Sequence, residues 1–102
     1  MFDWDDGNIN HIKKHGITPK ETEEVILNDP MDLRFELRNG EERTVQVGET
    51  DKGRILVVVT TMRGELIRVI TAFSATKNLR KVYITQRTRA NAGGTEESEL
   101  QE

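Results

Sequence analysis

Gly64-Glu-Leu-Ile-Arg-Val-Ile-Thr-Ala-Phe-Ser-Ala-Thr-Lys-Asn-Leu-Arg-Lys-Val-Tyr83 decides how the rest of the chain is read. Leu66 to Ala72 alternates and is rich in β-branched residues, the pattern of a strand. Ser74-Ala75-Thr76 then offers hydroxyl side chains suited to capping, and Lys77 to Arg87 repeats Leu79, Val82, Tyr83 and Gln86 at helical spacing. One charge interrupts the strand. An arginine such as Arg68 on a half-buried strand needs a carboxylate or a cleft, because leaving it unpaired costs several kcal/mol. Beside the basic helix that follows, it is expected to form a phosphate site with Lys77, Arg80, Lys81 and Arg87. The alternative is a simple pairing with Glu65 or with a carboxylate of the first helix.

Upstream of this stretch, strand patterns alternate with turn chemistry. Asp32 to Leu37 alternates around Leu33, Phe35 and Leu37; Asn39-Gly40 is a hairpin signal; Arg43 to Gly48 alternates around Val45 and Val47. Asp51-Lys52-Gly53 turns into Arg54 to Met62, whose Ile55–Val59 run is the most apolar in the chain and predicts a central strand. Arg63-Gly64 turns into the last strand.

The first thirty residues read as helices. Thr18 can cap free backbone donors, Pro19 fits the first helical position and Glu21 can close a capping box, so a helix runs to about Leu27, with Thr22, Val25, Ile26 and Leu27 inward. Asn28-Asp29-Pro30 ends it. Asp6 to His15 forms a shorter helix on Ile9 and Ile12, stopped by Gly16. Before it, Phe2 and Trp4 lie two apart as in a short strand, with Trp4 in the core. The expected fold is α+β: two N-terminal helices, a four-stranded antiparallel β-meander and a C-terminal basic helix, with the helices on one face of the sheet.

The 102 residues suit one small domain, taken as residues 1–88. Residues 89–102 have almost no apolar content beyond Leu100 and read as a disordered acidic tail. The chain has no cysteine, which excludes disulfides and thiolate metal sites. Its longest apolar run is too short to span a bilayer and Met-Phe-Asp-Trp-Asp-Asp is acidic where a signal peptide would be basic, so a cytoplasmic location without membrane contact is expected.

The net charge of −3 conceals a strong asymmetry. Residues 1–51 carry six Lys or Arg against thirteen Asp or Glu, whereas residues 52–89 carry nine Lys or Arg against Glu65 alone. A basic half inside a mildly acidic protein fits a polyanion or an acidic partner. His11 and His15 stand one helical turn apart, but the pair lacks the intervening glutamate and third ligand of a zinc signature, so no metal site is assigned. His15 is instead expected to close the first helix against the sheet, and Tyr83 to lie in the core.

Taken in order, several short pieces resemble the BrnT family of type II toxins, small ribonucleases of the RelE/ParE-like superfamily. They are Phe2-Asp3-Trp4-Asp5 with Asn8, Lys14-His15-Gly16-Ile17, Asn28-Asp29-Pro30, Glu41-Glu42-Arg43 with Val47-Gly48, Gly53-Arg54 with Leu56-Val57-Val58-Val59, Arg63-Gly64, Ile67-Arg68-Val69-Ile70-Thr71-Ala72, and Ala75-Thr76 with Arg80 and Tyr83. The resemblance implies a toxin that cleaves RNA without a metal or organic cofactor. It also implies a ribbon-helix-helix antitoxin as partner, with DNA bound only through that antitoxin. The chemistry would be attack of an RNA 2′-hydroxyl on the adjacent phosphate, which needs a base, an acid and cations facing the phosphorane.

Carried over by position, Arg68, Arg80 and Arg63 are the catalytic expectations. Lys77, Lys81, Lys14 and Arg54 are the RNA-binding ones. Phe73 and Leu79 stand where the family's usual runs have arginine and glutamate. Those two departures set the alternative reading: a catalytically impaired BrnT-like domain acting as a protein-binding module.

Overall fold

The computed structural model describes the backbone of residues 1–100 and the side chains of residues 1–89. The elements run α1 (Asp6–Lys13), α2 (Pro19–Leu27), β1 (Met31–Arg38), β2 (Glu41–Glu49), β3 (Ile55–Arg63), β4 (Leu66–Ser74) and α3 (Lys77–Leu100). The four strands form one antiparallel sheet in the order β1-β2-β3-β4. The expected α+β meander with its three helices is therefore present. The helical spacing in the sequence ends near Arg87, and residues 89–102 read as a tail. The side chains from residue 90 onward, and the last two residues entirely, lie outside the described residues.

Local chemistry sets the element ends. Asp5 caps α1 by accepting from the Asn8 N–H while the Asn8 side chain accepts from the Asp5 N–H, a reciprocal box. Thr18 and Glu21 make the same box on α2, with Pro19 in its first turn. Asn39 and Gly40 both adopt positive φ, 51° and 78°, as a two-residue hairpin between right-twisted strands requires.

The helices do not share one face of the sheet, which corrects the sequence expectation. On one side Ile12 of α1, Ile17 of the connecting turn and Val25 of α2 pack with Leu56, Val58, Val69 and Ala72, with Trp4 against the cluster. On the other side Tyr83 of α3, with Leu79 and Ala75, packs on Val45, Val47, Val57 and Val59. Adjacent residues of β3 thus serve opposite cores. The physical reason is parity: successive strand residues point to opposite faces, so an unbroken apolar run such as Leu56–Val59 needs cover on both sides.

The surroundings of β4 are set by its edge and by an irregularity in its pairing. The N-terminal segment lies along the free edge of β4, with a parallel bridge from Phe2 to Ile67 and the Asp3 N–H donating to the Ile67 carbonyl at 2.8 Å. On the other side, a bulge between Val59 and Thr60 leaves Ile70 without a cross-strand partner.

Close packing of α2 on β2 makes one position unusually sensitive. A Cβ added at Gly48 would lie 3.0 Å from Val25 Cγ1 and 3.1 Å from Pro30 Cβ. Gly48→Ala is expected to destabilise the fold by about 1–3 kcal/mol through overpacking. Urea denaturation with an unchanged m-value would register it as a lower midpoint.

Candidate nucleic-acid interface

The cations expected from the sequence fall into three separate places. At the end of the sheet where β4 passes into α3, an open groove of about 590 Å³ is lined by Arg54, Ser74, Lys77, Arg80 and Lys81, with Ile55 and Ile84 beneath. Thr76 caps α3 by accepting from the Leu79 N–H at 3.2 Å, and the Arg80 N–H makes the first helical bond to the Thr76 carbonyl at 2.9 Å. The helix start carries partial positive charge, so three exposed cations in its first turn and a half raise an already positive field. Lys77, Arg80 and Lys81 are exposed and make no ion pair among the described residues.

Arg54 reaches the same groove from the start of β3. Its Nη1 donates to both Glu21 carboxylate oxygens, at 3.2 and 3.0 Å, and to the Gly16 carbonyl at 3.0 Å, while Nη2 donates to Ser74 Oγ at 3.4 Å. The guanidinium is therefore held in one orientation at the groove wall. Partial burial opposes ionisation of Glu21, but hydrogen bonds from the Thr18 N–H and from Arg54 outweigh it and hold the carboxyl below its ordinary value.

The two histidines lie toward the C-terminal end of α1, beside β4. His11 Nε2 lies 3.0 Å from Thr71 Oγ1, the His11 and His15 rings meet edge to face with centroids 5.7 Å apart, and His15 meets the Phe73 ring at 6.5 Å. His15 directly precedes Gly16, whose carbonyl holds Arg54. Lys14 is exposed beside it. Phe73 is 40% exposed, which leaves a ring face open to a base. Thus the groove carries four cations, while the two imidazoles and a partly exposed aromatic ring lie together where α1 meets β4. His15 does sit at the helix end against the β4 edge, as expected.

Arg68 lies elsewhere. Its Nη1 is 2.9 Å from Asp5 Oδ2 and 3.5 Å from Asp3 Oδ2, its Nη2 donates to Asp5 Oδ1 at 3.2 Å, and its side chain is only 13% exposed. The carboxylates come from the segment before α1, neither from Glu65 nor from the helix itself, because that segment pairs with β4 alongside Arg68. Arg63 sits at the turn between β3 and β4; nine residues separate it from Arg54, about 30 Å at the rise of a strand. The structure therefore does not bring Arg63, Arg68 and Arg80 together.

The Asp5–Arg68 contact makes a pH prediction. The hydrogen bond from Arg68 holds the Asp5 carboxyl below its ordinary value of 3.8, with the Asn8 N–H adding to the effect and desolvation opposing it. A lowered folded-state pKa contributes stability that is present above 3.8 and is lost as the pH falls below it through the lowered value. Asp5→Asn keeps an effective N-cap but removes the titration. Between pH 5 and pH 2.5, the variant's melting temperature is expected to fall by less than that of the wild type, as read by circular dichroism.

Asn8 supports this corner, whereas Arg87, read from the sequence as part of a phosphate site, is engaged elsewhere. Asn8, 4% exposed, donates from Nδ2 to the Asp3 carbonyl at 2.9 Å and to the Val69 carbonyl at 3.2 Å, tying the N-terminal segment and α1 to β4. Arg87 is occupied with structure: it donates to the Tyr83 hydroxyl and to the Asn28 and Asp29 carbonyls, and pairs with the Asp29 carboxylate at 3.3 Å. Among the described residues no three His, Cys, Asp or Glu side chains are grouped to hold a metal ion, and no helix is long and apolar enough to cross a membrane.

Residues 4–78 match the family model described as ribonuclease toxin, BrnT, of type II toxin–antitoxin system. No match was found among the curated proteins.

Proposed function

The chain belongs to the BrnT family of type II toxin–antitoxin ribonuclease toxins, which gives it an RNA substrate and an antitoxin partner, and from that premise we propose that it cleaves RNA without a metal ion at the groove between α1, the end of β4 and the start of α3. The observation that carries this reading is the groove lined by Arg54, Lys77, Arg80 and Lys81, with the His11–His15 pair ending directly before Gly16, whose carbonyl accepts from Arg54. The cations would bind the RNA backbone and face the charge that develops on the phosphorane.

The reaction is in-line displacement at phosphorus. The 2′-hydroxyl loses its proton to one imidazole as its oxygen bonds to phosphorus; the bond from phosphorus to the 5′-oxygen breaks, and that oxygen takes a proton from the other imidazole. The products are a 2′,3′-cyclic phosphate and a 5′-hydroxyl. Two imidazoles suit this task because imidazole both accepts and donates protons near neutral pH. Phe73 would stack on a base beside the scissile phosphate.

Arg80 keeps the catalytic assignment and Lys77, Lys81, Arg54 and Lys14 the RNA-binding one. Arg68, engaged by Asp3 and Asp5, acts as a positioning residue that docks the N-terminal segment and α1. Arg63 contacts RNA only where a substrate extends along the sheet. We further propose a RelE/ParE-like fold over residues 1–88, a ribbon-helix-helix antitoxin and a cytoplasmic site of action.

Induced expression tests the reading in cells. The wild type is expected to arrest growth and deplete intact RNA, and co-expression of an antitoxin encoded beside it to relieve both. Growth arrest with RNA fully intact would overturn it.

A further inference from the structure

β1 is the terminal strand of the sheet, hydrogen-bonded on one side only, to β2. An open edge presents a row of free N–H and C=O groups and is usually blunted by charge, proline or cover. Here the edge carries Phe35, 73% exposed, and Leu37, 71% exposed, with Met62 of β3 exposed on the same end of the sheet. Alternating with them are Arg34 and Glu36, which pair with each other at 2.7 Å.

The order of these residues is self-complementary. If two copies of the strand run antiparallel about a two-fold axis through Phe35, residue 34 of each copy stands opposite residue 36 of the other. Arg34 then faces Glu36 twice, on one face of the joined sheet. On the other face the two Phe35 rings meet at the axis, with the two Leu37 side chains on the diagonals, within reach of aromatic rings. A register one residue away would put like charges or a charge and a phenyl ring opposite one another. The bulge between Asp32 and Arg34 ends the match on one side, so the pairing is confined to residues 34–36.

We propose that this edge is a homodimer interface: two copies of the chain join β1 to β1, antiparallel and centred on Phe35, into one continuous eight-stranded sheet. Charge complementarity selects a second copy of this chain as the occupant, because each copy supplies both halves of the match. The interface is small, so the dimer is weak and concentration-dependent. β1 lies at the opposite edge of the sheet from β4, so the dimer leaves the cationic groove of each copy open. The inference stands independently of the ribonuclease reading.

Charge reversal tests it on the full-length protein, by sedimentation velocity at protein concentrations up to about 500 µM, a range suited to weak association. The wild type is expected to sediment as a monomer–dimer equilibrium. Arg34→Glu alone and Glu36→Arg alone each set like charges opposite one another twice and are expected to weaken association about tenfold or more. Mixing those two variants restores opposite charges at both pairs and is expected to return a dimer, as is the double variant Arg34→Glu/Glu36→Arg. Circular dichroism of each variant verifies that it is folded. A wild type that stays monomeric throughout would overturn the proposal, as would single reversals that dimerise unchanged or a mixture of the two that stays monomeric. A monomeric wild type that loses antitoxin binding on Phe35→Asp would overturn it in favour of an antitoxin segment on the same edge.

Discussion

Lys77→Ala/Arg80→Ala is expected to lower RNA cleavage by roughly 10²–10³-fold, the scale of losing a group that faces transition-state charge. Both side chains are exposed on the first turn of α3 and neither is paired among the described residues, so alanine, a strong helix former, leaves the fold intact. The loss should therefore appear without a fall in melting temperature. It should also divide between the two residues. Lys77→Ala alone is expected chiefly to raise KM, and Arg80→Ala chiefly to lower kcat, because uniform binding and transition-state binding affect those parameters differently. Steady-state kinetics on a short RNA measures the division.

Tyr83→Ala is expected to destabilise the protein by about 3–5 kcal/mol, as for removal of a fully buried aromatic ring. The ring is 2% exposed and is the largest fully buried side chain among the described residues, packed among Val45, Val47, Val57 and Val59. Because a domain of this size is stable by only about 5–15 kcal/mol, the variant loses about a fifth or more of its margin. Its hydroxyl accepts from Arg87 Nε and Nη2, at 3.3 and 3.1 Å, and donates to Glu49 at 3.2 Å. That second role is separable. Tyr83→Phe keeps the ring and loses only these bonds, so its cost should be about 1–2 kcal/mol. Chemical denaturation of the two variants distinguishes packing from hydrogen bonding.

Legibility in the chain depends on the range of the interactions involved. The Thr18-Pro19-Lys20-Glu21 start of α2 and the Asn39-Gly40 hairpin are local chemistry, and both appear where the residues placed them. The cations of the last helix are equally legible, since Lys77, Arg80 and Lys81 lie within a turn and a half of one another wherever that helix goes. The side of the sheet taken by α3 is written in the unbroken apolar run of β3, but only a reading by residue parity extracts it. Pairings across more than thirty residues are not legible. Arg54 meets Glu21 and Gly16, and Arg68 meets Asp3 and Asp5, through neighbours that no local pattern announces. For the same reason the sequence sets His11 and His15 one helical turn apart, with His15 against the sheet, without showing which strand residues they meet. Only the packing of α1 along the β4 edge sets His11 beside Thr71 and His15 beside Phe73.

Metal-independent cleavage through a cyclic phosphate at the α1–β4–α3 groove leaves a signature in the chemical nature of the cut ends. A defined RNA oligonucleotide incubated with purified protein in excess EDTA is expected to yield fragments ending in 2′,3′-cyclic phosphate and beginning with 5′-hydroxyl, by mass spectrometry. Lys77→Ala/Arg80→Ala and His15→Ala should each yield far less of both. Fragments beginning with 5′-phosphate, cleavage abolished by EDTA, or full cleavage by those variants would contradict the account.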